Sequence, residues 1–156
     1  MKMKAPSVYQ HLFSLIMPIS ITLIIPWWIH PVLLNEYFFL KCIGIIIGLV
    51  GLFGFIYTVY LFRVKGRGTL APWTPTQQLV IEGPYRYCRN PMIASVLFIL
   101  IGETLFFPSS SLAVEAVLFF IFNTVYFIFS EEPGLEQRFG KAYVDYKKKV
   151  PRWIGW

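Results

Sequence analysis

The sequence predicts an all-α polytopic membrane protein, with four transmembrane helices followed by an amphipathic C-terminal helix on the cytoplasmic side. Three observations carry this reading. The chain is 56% hydrophobic and 19% aromatic, above the roughly 45–50% apolar content of soluble domains. Its apolar residues fall in four blocks of about the length a bilayer requires, roughly 17–25 residues. Its basic residues cluster in alternate connections, as they do on the cytoplasmic side of membrane proteins. A single membrane domain over residues 1–156 is expected, with two N-terminal spans in residues 1–62. Residues 63–156 form the second half, with two spans and the terminal helix.

The first block runs from about Leu12 to Ile29. It follows Lys2 and Lys4 as a signal peptide would. No small-residue cleavage site follows, however, and Pro26-Trp27-Trp28 reads as an interfacial end, so the segment is a retained span. Pro18 predicts a kink, and His30-Pro31 marks the outer turn. The second block, about Phe38 to Phe62, carries Gly44, Gly48, Gly51 and Gly54. Spacings of four and three place them on one side of a helix, a seam for close packing. Cys42 is read as a small packing residue.

The connection from Arg63 to Asn90 contains Gly66, Gly68, Pro72, Pro75, Gly83 and Pro84, which excludes one long helix. It also holds Trp73, Leu79, Val80, Ile81, Tyr85 and Tyr87, side chains able to pack, so an ordered loop lying on the bundle is predicted. The third block, about Pro91 to Phe107, is short for a span; the fourth runs from about Leu112 to Phe129. Beyond it Leu135, Phe139, Tyr143 and Tyr146 recur at intervals of four, four and three, one apolar face of a helix. That helix either lies at the interface or closes over the cytoplasmic mouth of the bundle.

The formal net charge is +6, but its placement excludes nucleic acid as the partner. Arg63, Lys65, Arg67, Arg86 and Arg89 lie between spans two and three, and Arg138, Lys141, Lys147, Lys148, Lys149 and Arg152 follow span four. The other two connections offer Glu36, with Lys41 just inside span two. This pattern puts both termini and the middle loop in the cytoplasm, with membrane lipids as the partner of the basic residues. The compact loops fit a bacterial inner membrane. Oligomeric state is not legible. Cys42 and Cys88 make no disulfide framework, and the sequence around His30 offers no second metal ligand.

Two polar clusters at the membrane boundary concentrate the chemistry: the stretch from Glu82 to Met92, and Glu131-Glu132. Gly83-Pro84-Tyr85-Arg86-Tyr87-Cys88-Arg89-Asn90-Pro91-Met92, then Glu131-Glu132-Pro133-Gly134-Leu135, then the run from Phe139 to Arg152 resemble the isoprenylcysteine carboxyl methyltransferases, relatives of the phospholipid N-methyltransferases. The resemblance covers about Gly66 to Arg152. It implies an integral membrane enzyme that uses S-adenosylmethionine to methylate a lipidic or prenylated small molecule. The carried-over cofactor contacts are Gln77, Gln78, Leu79, Val80, Tyr85, Asn90, Pro91, Met92, Ile93 and Glu131, with Gly83, Arg89 and Glu132 beside them. Arg89, Glu132 and Tyr85 are the candidates for catalysis. A glutamate at this boundary favours the cofactor's cationic groups, Arg89 or helix N-terminal amides can hold its carboxylate, and Tyr85 offers a ring to stack on adenine.

Two departures stand out. Asn90-Pro91-Met92-Ile93 replaces the His-Pro-x-Tyr common in that family, which removes a titratable group. Phe127 occupies the place where the eukaryotic enzymes carry an arginine for the substrate carboxylate. Carboxylate O-methylation is the first expectation and N-methylation of a phospholipid amine the alternative. An NADPH-dependent membrane reductase and a non-enzymatic assembly protein are the remaining ones. Glu103 and Glu115, inside spans three and four, are read as structural hydrogen-bonding or snorkelling groups.

Overall fold

The computed structural model describes residues 9, 15–29, 38–66 and 76–154. His30, Pro31, Glu36, Arg67, Gly68, Pro72, Trp73 and Pro75 lie outside them, as do Lys2 and Lys4. The described residues are helical, without strands. Helix α1 spans Ile16–Trp28, α2 Phe38–Gly66, α3 Pro91–Phe106, α4 Ser110–Phe139 and α5 Lys141–Lys149. A 3-10 turn, Gly83–Arg86, precedes α3.

Helices α2 and α4 are long and apolar enough to cross a membrane, at 29 and 30 residues. Each is apolar on most of its circumference, with Ile46, Val50 and Phe53 on α2 and Val117, Ile121 and Phe122 on α4 exposed. Surfaces of that kind are at home in lipid rather than water. The chain is thus a helical membrane protein. Helices α1 and α3 are apolar but shorter. The 16 residues of α3 give about 24 Å at 1.5 Å per residue, against a hydrocarbon thickness of about 30 Å.

Among the described residues, three π-helical turns occur within or at the ends of the helices. The one at Ser20–Ile24 lies between Pro18 and Pro26. Proline donates no hydrogen bond, and the wider turn accommodates the missing rung just ahead of Pro26. The other two, Phe62–Gly66 and Phe127–Glu131, lie where α2 and α4 reach the basic end of the bundle.

Packing is dominated by α2 against α3. A Cβ on Gly44 would lie 2.7 Å from the Gly102 carbonyl oxygen, and one on Gly51 2.7 Å from that of Ser95. In lipid, where apolar surface gains nothing by being hidden from tails, such close backbone approach is what holds helices together. Gly48 takes part in the predicted seam through its backbone: a Cβ on Gly102 would lie 2.7 Å from the Gly48 nitrogen and 2.8 Å from its Cα, while one on Gly48 itself would meet nothing within 4 Å. The seam is therefore Gly44, Gly48, Gly51 and Gly54, as the spacing predicts, completed from α3 by Gly102 and Ser95.

The predicted terminal helix is also corrected. Residues from Glu132 to Phe139 continue α4 rather than starting a new helix. Gly140, at φ +54°, then turns the chain into α5, a conformation open to glycine because it has no Cβ. Leu135 and Phe139 therefore lie on one helix and Tyr143 and Tyr146 on another.

Replacing Gly51 with Ala should cost roughly 1–3 kcal/mol through overpacking. That is a fall of about 3–10 °C in Tm, measured by thermal unfolding in detergent. Gly48→Ala should leave Tm unchanged.

Candidate active site

The basic end of the bundle brings the two predicted polar clusters together. Twenty residues, about 30 Å of helix, cover the hydrocarbon, so the tail of α4 from Glu131 onward lies past it. At the end of α2, the Gly66 carbonyl accepts the backbone N–H groups of Gln77 and Gln78 at 2.8 and 3.3 Å. This ties the incoming segment to the helix. Val80 is buried against Leu61 and Tyr85, while Leu79 is half-buried and Gln78 exposed. Gly83 adopts φ +59° and starts the turn that delivers Tyr85. The Tyr85 ring is buried, 5.6 Å from that of Phe62.

Asn90 and Pro91 open α3 as the sequence predicts, with Pro91 at the first helical position. The Asn90 side chain donates to the Arg152 carbonyl at 3.4 Å and the Arg89 backbone N–H to that of Pro151 at 2.9 Å. Met92 and Ile93 follow in the first turn, half-buried. Cys88 is buried, and its thiol donates to the Arg152 carbonyl at 3.3 Å. Burial pushes that thiol up despite the nearby Asn90 amide and Arg89, so it is a packing residue, not a nucleophile.

Helix α5 packs over these groups, the arrangement expected of a cover rather than of a helix lying apart on the interface. The Tyr146 hydroxyl donates to the Tyr85 carbonyl at 2.6 Å, and Tyr143 is buried with its hydroxyl 3.5 Å from Arg89 Nη1.

The two glutamates have opposite environments. Glu132 is 4% exposed and meets three cations: Arg152 Nε at 2.6 Å, Arg89 Nη1 at 3.0 Å and Lys147 Nζ at 3.1 Å. Burial alone would raise its pKa. The hydrogen bonds from Arg152 and Lys147 and the charges of Arg89 and Arg152 outweigh that and pull it to about 2. Such a carboxylate anchors and does not accept protons near neutrality. Glu131 is half-buried and makes no ion pair with a described residue. Burial, and then the charge of Glu132, push it up to about 7 against the opposing pull of Arg138. Glu131 lies close enough to Tyr85 that its charge, after burial itself, raises the phenol.

Of the residues predicted for the site, Tyr85, Asn90, Glu131, Glu132 and Arg89 thus converge. Arg89 is committed to Glu132. Lys147, Arg152 and Tyr146 were not singled out from the sequence, although the basic run 147–152 closed the resemblance. Glu103 and Glu115 lie near each other at the opposite end of the bundle. Glu103 Oε2 and both Glu115 carboxylate oxygens are buried and hydrogen-bond to no described residue.

Glu132→Gln leaves three cations facing a neutral amide and should destabilise the protein by roughly 3–5 kcal/mol, on the order of 10 °C in Tm. The stabilising contribution of ionised Glu132 is complete above pH 4.5 and is lost as pH falls toward 2. Thermal unfolding across that range should show an acid limb in the parent that is diminished in the variant.

Residues 39–142 match the phospholipid methyltransferase family. An uncharacterized protein of Haemophilus influenzae is 36% identical over 63 residues, which cover 40% of this chain and 100% of that protein. No solved structure matches. With the match extending from the start of α2 through the convergent polar cluster into α5, the chain belongs to the phospholipid methyltransferase family.

Proposed function

We propose that the protein is an S-adenosylmethionine-dependent methyltransferase of the membrane that acts on the amine of a phospholipid headgroup. The reading includes four spans, with α1 and α3 as the short ones, in a bacterial inner membrane with both termini cytoplasmic. The single observation that carries it is Glu131, a carboxylate with no ion pair to a described residue, beside Tyr85, within a chain of this family. That carboxylate fits the cationic groups of the cofactor, because a buried negative charge without a partner is stabilised by a cation. Phe127, buried where the resemblance would place a carboxylate-binding arginine, favours an amine acceptor over a prenylcysteine carboxylate. The motifs at 83–92 and 131–152 still support carboxylate O-methylation as a second reading. Family membership weighs against a reductase or an assembly factor.

S-adenosylmethionine supplies an electrophilic methyl group when bound. Glu131, Tyr85 and the segment Asn90–Ile93 would hold it, with Gln77–Val80 lining the approach from α2. Gly83 lets the backbone turn beneath it. Glu132 positions Arg89, Lys147 and Arg152 and so fixes the cover over the site. An ammonium acceptor must lose a proton before it can attack. Tyr85 is ill suited, since burial holds its phenol protonated. Glu132 is ill suited too, since its three cations hold it near 2, and Glu131 is engaged by the cofactor's cation, so the proton leaves to water at the headgroup interface before the site closes. Exclusion of water by α5 and orientation of the acceptor supply the rest of the rate.

The purified protein should bind S-adenosylhomocysteine by calorimetry, and Glu131→Gln should weaken that binding roughly tenfold, the loss of one charge-assisted contact. In the parent, binding should strengthen as pH rises through about 7, where Glu131 ionises, and the variant should lose that dependence. Membranes incubated with methyl-labelled S-adenosylmethionine should give a labelled lipid. Label that resists mild alkali identifies an N-methyl product; label released as methanol identifies a methyl ester and selects the second reading. No labelled lipid and no binding would refute both.

A further inference from the structure

Two cavities meet at Trp153. One, of about 450 Å³, is lined by Arg89, Lys147, Lys148, Lys149, Arg152 and Trp153. The other, of about 410 Å³, is an apolar groove between α3 and α4, lined by Ala94, Leu97, Phe98, Ile101, Phe120 and Trp153. Each has the volume of an ordinary small-ligand site, roughly 300–1,000 Å³. The Trp153 ring packs against Phe120 at 5.0 Å and Phe127 at 5.6 Å, which fixes it at the junction.

The polar chamber has donors without acceptors. Arg89 Nε and Trp153 Nε1 are buried and hydrogen-bond to no described residue, although the Arg89 side chain is only 9% exposed. Buried N–H groups are rarely left unpaired. Charge is unbalanced in the same sense. Glu132 and Glu136 answer Arg89, Arg152 and Lys147, whereas Lys148 and Lys149 make no ion pair with a described residue and are exposed. The chamber's own side chains therefore leave positive charge in surplus.

We infer that the two cavities form one subsite for a membrane phospholipid, its phosphodiester in the basic chamber against Arg89, Trp153 and Lys148–Lys149, and an acyl chain in the groove between α3 and α4. The combination selects this occupant. A soluble anion leaves the groove empty, and a neutral lipid leaves the donors and the surplus charge unanswered. Apart from Arg89, the chamber is built from residues beyond 142, outside the family match. Headgroup selection is thus placed in the segment from Lys147 to Trp153. The inference rests on the proposed function in one respect, that the bound lipid is the methyl acceptor.

The test uses the full-length protein in a neutral detergent and three probes. These are dioctanoylphosphatidylethanolamine, dioctanoylglycerol (the same chains without phosphate) and glycerophosphoethanolamine (the same head without chains). Only the first should bind tightly, at least tenfold better than either part. Lys148→Gln/Lys149→Gln, at exposed positions that leave the fold intact, should weaken it roughly tenfold. Trp153→Phe, which keeps the ring packing and removes the N–H, should weaken it roughly threefold to tenfold. Binding of S-adenosylhomocysteine to both variants should match the parent. Equal binding of dioctanoylglycerol, equal binding of glycerophosphoethanolamine, or variants that bind the phospholipid like the parent would each overturn the subsite. Lipid binding that survives while S-adenosylhomocysteine fails to bind the parent would strike the methyltransferase reading alone.

Discussion

The carboxylate of Glu132 is the constraint on which the polar end of this protein depends. It is buried, and it meets cations from three places in the chain: Arg89 ahead of α3, Lys147 on α5 and Arg152 beyond α5. A buried charge is tolerable only when it is paired and hydrogen-bonded, so these segments cannot separate without stranding it. The Tyr143 hydroxyl accepts from Arg89, the Tyr146 hydroxyl donates to the Tyr85 carbonyl and the Arg152 carbonyl accepts from Asn90 at the same junction. The neighbouring Glu131 is left out of that cluster. One glutamate holds the architecture together and the adjacent one remains available for a ligand, a division set by environment rather than by residue type.

Within the apolar part of the bundle a different force operates. Lipid tails are as apolar as the side chains they touch, so burial contributes little and shape complementarity must hold α2 to α3. The glycine contacts at Gly44, Gly51 and Gly102 supply it. The two devices are complementary: backbone contact fixes the helices along their length, and the ion cluster fixes the irregular segments at one end. The π-helical turns at Phe62–Gly66 and Phe127–Glu131 lie at the join between the two regimes. There the helices change from packing against each other to presenting groups to a site.

Local features were legible in the sequence and long-range ones were not. The apolar helices follow from hydropathy, which acts residue by residue, and the α3 boundary follows from Asn90-Pro91. The convergence of Tyr85, Asn90 and Glu131 was legible as well, because two short polar stretches flank a pair of helices that a short loop forces to be antiparallel. The roles of Arg152 and Lys147 were not. They depend on the direction in which α5 leaves Gly140, and a helical period carried through Phe139 to Tyr146 hides the break. Arg89 read as a free cation because its partner lies 43 positions away in sequence.

The turn at Gly140 also bears on how the molecule is made. Residues 147 and 152 leave the ribosome after all the long apolar helices have been synthesised, and until they do Glu132 has Arg89 as its sole cationic partner among those now paired with it. Membrane insertion and completion of the polar cluster are therefore separate events in biosynthesis. Until α5 is made, the Tyr85 carbonyl also lacks the Tyr146 hydroxyl that donates to it, so the polar end of the bundle is the last part of the molecule to be completed.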